Sequence, residues 1–367
     1  MAHVWLELGG GGAQREPSGL RRGVGAAIIA HALFAHENPG LGEPPNEPMT
    51  LLSGRLAATP AVALAAVLAA LSCFAPAQDV GGTQGAVDLY NRAKTAIDQG
   101  QLDRAIGLLG EALRLDPAMI DAYKARGLAF QKKGDLARAL ADYGAAIELK
   151  PDTADLRAAR ASVYLKTGQL DKGMAEYDEA IRLDPQRAGA HCGRARAHML
   201  KGELDAAIAD YTGALRLDPN HAAAYSNRGV ALAQSGRLDE AIADLGRAVE
   251  LDPTDSVAYA NRGSAHAMLG KLSQAVADYS ASIRLDPTDP DVYGDRAAAF
   301  EVLGDLDRAI ADRSAVVRLC PDDPRAYTQR ALLYVKKGQQ QKADADFAKA
   351  RQLRLGRNPG ASGIPLP

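Results

Sequence analysis

The chain has few cysteines, few aromatic side chains and almost no net charge. It contains 3 cysteines among 367 residues, which excludes a small scaffold held together by disulfides. Its formal net charge of -2 lacks the basic excess typical of a dedicated nucleic-acid-binding protein. Aromatic residues make up 5% of the chain, with 1 Trp, whereas Ala and Leu are abundant. This composition predicts an all-α fold rather than a β-sandwich or barrel.

Three series of residues recur along the chain with the same 34-residue period. The prolines of the first series are Pro117, Pro151, Pro185, Pro219, Pro253, Pro287 and Pro321. The glycines of the second are Gly100, Gly134, Gly168, Gly202, Gly236, Gly270, Gly304 and Gly338. The small residues of the third are Ala105, Ala139, Gly173, Ala207, Ala241, Ala275, Ala309 and Ala343. Because all three keep one register without an insertion, the sequence predicts a repeat array.

Each repeat has the pattern of two amphipathic helices. With Ala86 as position 1, the array has eight repeats and ends at Arg357. In repeat 5, the first apolar-periodic segment ends at Gly236, where glycine allows the left-handed conformation that terminates a helix. The second segment, RLDEAIADLGRAVELDP, ends at Pro253, which cannot continue a helix. The sequence therefore predicts a helix–turn–helix in every repeat.

This repeat resembles the tetratricopeptide repeat (TPR) family, whose pattern has a large residue at position 4, small or aromatic residues at 8, 11, 20 and 24, and Pro at 32. Repeat 2 supplies these residues as Tyr123, Gly127, Phe130, Ala139, Tyr143 and Pro151. Departures from the pattern are Arg157 and His191 at position 4, Leu109, Leu245 and Arg313 at position 24, and Leu355 at position 32. The resemblance implies a right-handed α-solenoid, or superhelix, that binds extended peptides or partner helices in a concave groove.

Position 7 is arginine in every repeat, although it is usually Leu in the family. The predicted partners are the acids at position 23, which Leu108 replaces in repeat 1. The predicted pairs are Arg126 with Asp142, Arg160 with Glu176, Arg194 with Asp210, Arg228 with Asp244, Arg262 with Asp278, Arg296 with Asp312, and Arg330 with Asp346. We expect a structural ladder of partly buried ion pairs, because the acids recur in step with the arginines. The alternative is an arginine row that binds anionic ligands.

Position 6 is often asparagine in the family, where its amide can bond the backbone of a ligand. Repeat 1 has Asn91 there, and repeats 5 to 8 form an unbroken polar track of Asn227, Asn261, Asp295 and Gln329. We expect this polar track to bind peptide, the alternative being that asparagine is merely common at position 6.

Basic residues occupy groove positions in the early repeats. They are Lys94, Lys124, Lys132, Lys166 and Arg196. A net-positive groove would favour acidic segments or a C-terminal carboxylate. The carboxylate-clamp pattern of the family is incomplete, however, because Leu128 and Ala159 stand where it needs asparagine. A solvated charged face is therefore the favoured interpretation.

The sequence contains no P-loop, nucleophile elbow, zinc-protease or paired-cysteine motif, so we predict no enzyme activity, no cofactor and no metal site. His191 and His198 share one helical face next to Cys192 and suggest a metal. They occupy positions 4 and 11, however, where other repeats have aromatic side chains. Packing in the core is therefore the preferred interpretation.

The segment before the repeats has three parts. Residues 1–48 are Gly- and Pro-rich and are predicted to be disordered or an over-long gene prediction. Residues 49–77 read as a secretory signal peptide, with Arg55, a short apolar run, and an Ala75-Pro76-Ala77 cleavage site before Gln78. Residues 78–85 are a predicted linker, 86–357 the array, and 358–367 a flexible tail.

These features predict a non-enzymatic, protein-binding scaffold that is periplasmic or secreted from a bacterium. Alternatives are an inner-membrane-anchored assembly factor for an envelope complex, a lipoprotein attached through Cys73, or a regulatory subunit of an enzyme. The sequence does not identify the partner, and it predicts no nucleic-acid partner. Contact with a membrane is predicted only if the apolar segment is retained.

Overall fold

A computed structural model describes residues 80–357. The predicted extension 1–48, signal peptide 49–77 and tail 358–367 lie outside the described residues. Sixteen α-helices form the described part of the chain. In order, they are α1 (Val80–Asp98), α2 (Leu102–Leu115), α3 (Ile120–Lys133), α4 (Leu136–Leu149), α5 (Ala154–Lys166), α6 (Leu170–Leu183), α7 (Ala188–Lys201), α8 (Leu204–Leu217), α9 (Ala222–Gln234), α10 (Leu238–Leu251), α11 (Ser256–Met268), α12 (Leu272–Leu285), α13 (Pro290–Val302), α14 (Leu306–Leu319), α15 (Pro324–Lys336) and α16 (Gln340–Arg357).

The observed helix pairs match the predicted helix–turn–helix repeats. The start of α1 differs from the predicted boundary, because the helix already begins at Val80, within the predicted linker 78–85. A Cβ added at Gly85 would lie 3.3 Å from the Leu115 side chain, and Ala86 is fully buried. The beginning of α1 is thus held against α2, which extends the first helix beyond the repeat period.

The turn between the two helices of a repeat depends on its glycine. Gly134 has φ +81°, a backbone conformation that other residues rarely adopt. In this conformation the Asp135 N–H donates to the Phe130 carbonyl at 2.9 Å, which satisfies a free carbonyl at the end of α3. The Asp135 carboxylate then accepts from the N–H of Arg138 and caps α4. One short sequence, Gly134-Asp135, therefore ends one helix and starts the next.

Small residues let the two helices of a repeat approach closely. In repeat 2 a Cβ added at Gly127 would lie 2.9 Å from the Tyr143 ring. Tyr143 itself is 1% exposed and Ala139 is fully buried. Gly263 and Tyr279 make the same contact in repeat 6. The small residues at positions 8 and 20 and the aromatic residue at 24 therefore form one packing unit.

The described helices fall into two compact segments, residues 80–183 and residues 184–357. Within each segment, every helix packs against the next along the chain, and apolar clusters such as Tyr211 with Ala224 and Val230 bridge consecutive repeats. In the last repeat Gln340, Asp344 and Arg351 stand where earlier repeats are apolar, and all are exposed. The outer face of α16 is therefore polar, as expected for a terminal repeat.

None of the helices in the range 80–357 combines the length and apolar character needed to cross a membrane.

Candidate functional site

The arginines at position 7 and the acids at position 23 meet between the two helices of a repeat. Arg228 donates from Nε and Nη2 to the two carboxylate oxygens of Asp244, at 2.6 and 2.8 Å. The hydrogen bond to Asp244 raises the pKa of Arg228. The side chains of this pair are 19% and 12% exposed, so the charges are largely withdrawn from water. Two-point bonds of this kind also join the following pairs: Arg126–Asp142, Arg194–Asp210, Arg262–Asp278, Arg296–Asp312 and Arg330–Asp346.

Several of these arginines also bond the preceding repeat. Nη1 of Arg228 donates to Thr212 at 2.9 Å, and Nη1 of Arg296 donates to Ser280 at 2.8 Å. Arg330 likewise donates to Ser314 at 3.2 Å. These hydroxyl residues all occupy position 25, and they were not predicted from the sequence. Their recurrence one place after the aromatic position was the signal that could have revealed them.

Repeat 3 has a different arrangement around its acid. Glu176 accepts from Arg160 and also lies 3.5 Å from Arg157, which replaces the usual aromatic residue at position 4. Nε of Arg160 is buried without a hydrogen-bond partner in the described residues. One carboxylate here serves two guanidinium groups.

The polar track lies on first helices, of which α9 contacts α11 and α11 contacts α13. Asn227 is half-buried and Asn261 is 8% exposed. Among residues 80–357, neither amide makes a hydrogen bond with its side chain. Neither amide is among the fully buried side-chain atoms that lack a partner in the described chain, so both amides reach solvent and their hydrogen-bonding capacity is open to a ligand.

The polar track continues into repeats 7 and 8 with an additional residue, Arg313. This arginine takes the aromatic position 24 and donates from Nη1 to the amide oxygen of Gln329 at 2.8 Å. A Cβ added at Gly294 would lie 3.1 Å from the same Nη1, so a glycine makes room for the guanidinium. Asp295, the residue after Gly294, is half-buried; burial raises its pKa to about 7, and the charge of Arg313 opposes the rise. In the sequence, Arg313 is recognisable only as a departure from the repeat pattern.

The basic residues of the early repeats are mostly exposed. Lys94, Lys124, Lys132 and Lys166 are exposed, as is Asn91. Lys124 forms an ion pair with Asp155 at 3.0 Å, and Nζ of Lys94 lies 5.9 Å from the centre of the Tyr90 ring.

Arg196 lies in the segment after residue 183 and is half-buried. Its Nε has no hydrogen-bond partner in the described part of the chain.

The histidines make contacts that hold them within the protein. His198 bonds Glu203 at 2.6 Å through Nδ1, and His191 lies 3.2 Å from the carbonyl oxygen of Pro185. Burial raises the pKa of Cys192 to about 12, so the thiol stays protonated at neutral pH. Across the described helices no cluster of three or more His, Cys, Asp or Glu side chains could hold a metal ion.

Comparison with known families agrees with this geometry. A family model described as tetratricopeptide repeat matches residues 124–188, 192–256 and 260–324, which together exceed half of the chain. The chain belongs to the tetratricopeptide repeat family. Further models described as TPR repeat and tetratricopeptide repeat match residues 94–134 and 324–354.

Solved TPR structures are similar to the chain at low sequence identity. A TPR protein from Parabacteroides merdae is 20% identical over 68% of this chain and 99% of its own, with a TM-score of 0.53. One chain of the APC/C hetero-tetramer Cut9–Hcn1 is 20% identical over 75% of this chain and 53% of its own length, with a TM-score of 0.51. YrrB, described as a TPR protein with an unusual peptide-binding site, is 24% identical over 53% of this chain and 97% of its own, with a TM-score of 0.44. These similarities concern the fold alone. A search of curated proteins finds no match.

Proposed function

We propose that this TPR protein is a non-enzymatic scaffold that binds an extended peptide segment of a partner protein along its polar track. TPR proteins in general bind protein or peptide partners. The observation that carries the proposal for this chain is the pair of unbonded amides at Asn227 and Asn261.

An asparagine amide can both donate to and accept from a backbone amide of a ligand. Asn227 and Asn261 lie one repeat apart on α9 and α11, which are in contact. Backbone recognition at successive repeats would hold a peptide in extended form while leaving its sequence to be read by other groove residues. This supports affinity for an extended segment more than for a folded surface.

The test uses a phage-displayed library of random dodecapeptides, selected on the full chain. We expect an enriched peptide to bind Asn227→Ala/Asn261→Ala about ten- to a hundredfold more weakly than the wild type, because two amide bonds are lost. The control variant is Gln274→Ala/Gln341→Ala, in which both altered side chains are exposed on second helices. Equal affinity of all three proteins, with unchanged helicity, would refute binding at the polar track.

We further propose that the protein acts in the bacterial envelope. The support is the sequence of residues 49–77, in which a short apolar run precedes an Ala-Pro-Ala site. A membrane-tethered assembly factor is the alternative, and it requires that the apolar run be retained.

A further inference from the structure

We propose that Asp295 and Arg313 form a subsite that binds one neutral amide of a peptide ligand, with the amide N–H donating to Asp295 and the amide C=O accepting from Arg313. This inference rests on the proposed function and assigns a chemical class of ligand to the part of the polar track in repeats 7 and 8.

The donor half of the subsite is the guanidinium of Arg313. In repeat 6 the corresponding residue is Tyr279, which is buried against Gly263 and bonds Ser264. The guanidinium instead extends from α14 to Gln329 on α15. That bond uses one of five N–H groups, and no other hydrogen bond of Arg313 occurs within residues 80–357. Burial also lowers the pKa of Arg313, and the charge of Asp295 opposes this change.

The acceptor half is the carboxylate of Asp295 on α13. It makes no hydrogen bond and no ion pair with the residues that the structure describes. Burial is the largest cause of its raised pKa, followed by repulsion from Asp291, while the charge of Arg313 opposes the rise. Above its pKa of about 7, Asp295 is ionised and only accepts hydrogen bonds, so at that pH it lacks a donor.

The charges of the two groups favour a neutral ligand with a dipole. A cationic group that approached Asp295 would also approach Arg313, and an anionic group that approached Arg313 would also approach Asp295. Each ion would therefore meet one like charge in a partly desolvated site. An amide places its N–H toward the carboxylate and its C=O toward the guanidinium, so it satisfies both groups without adding charge.

Two parts of a peptide present such a donor and acceptor on one side. A residue in an extended strand directs its own N–H and C=O to the same edge, and the side chain of Asn or Gln carries both on one carboxamide. Both sources have the same chemistry, and the experiment distinguishes them.

The probe is the dodecapeptide enriched on the full chain, resynthesised with each backbone N–H methylated in turn or each Asn or Gln changed to Ala. At one position, we expect the modification to weaken binding to the wild type about tenfold or more. The same modification should weaken binding to Asp295→Ala by less than about threefold, because the partner of the lost N–H is already absent. A modification whose effect is smaller in Asp295→Ala than in the wild type is coupled to Asp295. If that modification is a methylated N–H, the bound group is a backbone amide; if it is a changed Asn or Gln, the bound group is a side-chain amide.

Arg313→Gln and Asp295→Asn serve as second variants if Asp295→Ala folds poorly, and Asp205→Asn is the control, since Asp205 is exposed on α8. An enriched peptide that depends on Asn227 and Asn261 but shows no coupling to Asp295 or Arg313 would overturn the subsite and leave the proposed function standing. If no peptide is enriched, both proposals fail.

Discussion

The arginine at position 7 connects three parts of the array at the scale of single residues. Its guanidinium bonds the acid of its own repeat, and in repeats 5, 7 and 8 it also bonds a hydroxyl of the preceding repeat. In repeat 5 it lies 5.6 Å from the centre of the Tyr225 ring. A Leu at this position would provide only apolar contact. These arginines therefore specify both the pairing of helices in a repeat and the register between repeats.

Arg228→Leu tests the importance of one such pair. We expect the free energy of unfolding to fall by about 2–4 kcal/mol, because Asp244 would remain buried without its partner. Urea or thermal unfolding followed by circular dichroism gives the change. Arg228→Leu/Asp244→Leu is the matched control and should recover much of the loss. If Arg228→Leu were as stable as the wild type, the ladder would not be structural.

Asp295 gives a pH-dependent contribution to stability. Its pKa rises from 3.8 to about 7 on folding, so between these pH values the folded chain holds a proton that the unfolded chain has released. The resulting stabilisation is complete below about pH 4 and is lost as pH rises through about 7. The charge of Asp291, and to a smaller extent that of Asp289, strengthens this effect, whereas the charge of Arg313 weakens it.

We therefore expect Asp295→Asn to be more stable than the wild type at pH 8, by roughly 1–2 kcal/mol after allowance for solvent at a half-buried group. The difference should disappear near pH 4. Unfolding curves at both pH values measure it, with Asp205→Asn as the control at an exposed position. A constant difference between wild type and Asp295→Asn at the two pH values would show that Asp295 titrates normally.

The ion pairs and the polar track were predictable to different extents. The pairing of position 7 with position 23 could be predicted, because the arginines and the acids recur in step with each other along the repeats. The sequence could not show that Asn261 is 8% exposed, because burial depends on the packing of adjacent first helices. The role of Arg313 also required the structure, since its reach to Gln329 depends on the space left by Gly294. The residue types therefore predicted which groups can form ion pairs or hydrogen bonds, whereas the packing of the helices determines which of these groups are in contact.

At the scale of helices, the repeat series predicted the elements well because local interactions define their ends. Each described repeat glycine has a positive φ, which ends the first helix without the steric cost that other residues would have. The start of α1 was less predictable, because Gly85 and Ala86 are held by contacts with α2 rather than by a local signal.

Position 25 offers a way to strengthen contact between helices of neighbouring repeats. It is Gly246 in repeat 5, where an added Cβ would lie 3.9 Å from Nη1 of Arg262, an ordinary contact distance. Thr212 and Ser280 occupy the same position in other repeats, and each accepts a hydrogen bond from the next arginine. A serine in place of Gly246 should therefore be able to accept from Arg262.

We expect Gly246→Ser to stabilise the protein by about 1 kcal/mol, through higher helix propensity and one added hydrogen bond. Gly246→Ala separates the two contributions, because it removes the glycine without adding an acceptor. Denaturant unfolding should rank serine above alanine and alanine above glycine. A serine variant no more stable than the alanine variant would mean that the hydroxyl forms no useful bond.

At the scale of the whole molecule, periodic series established the repeat fold because each repeat reuses the same packing rules. The exposed outer face of the last repeat carries the polar residues Gln340, Asp344 and Arg351. The cellular location does not follow from the repeat fold, because a secretory signal is recognised through a short apolar run and small residues at a cleavage site. The location of the protein is therefore a proposal, and the covalent state of its N-terminal segment tests it.

The intact mass of the native protein from fractionated cells tests this proposal directly. We expect a soluble periplasmic species that begins at Gln78, because cleavage after Ala75-Pro76-Ala77 would remove the apolar run. Ala77→Leu should block this cleavage by removing a small residue from the site, whereas Ala66→Leu, within the apolar run, should not. A membrane-bound species that retains the run, or carries lipid on Cys73, would contradict a soluble scaffold and favour a tethered assembly factor.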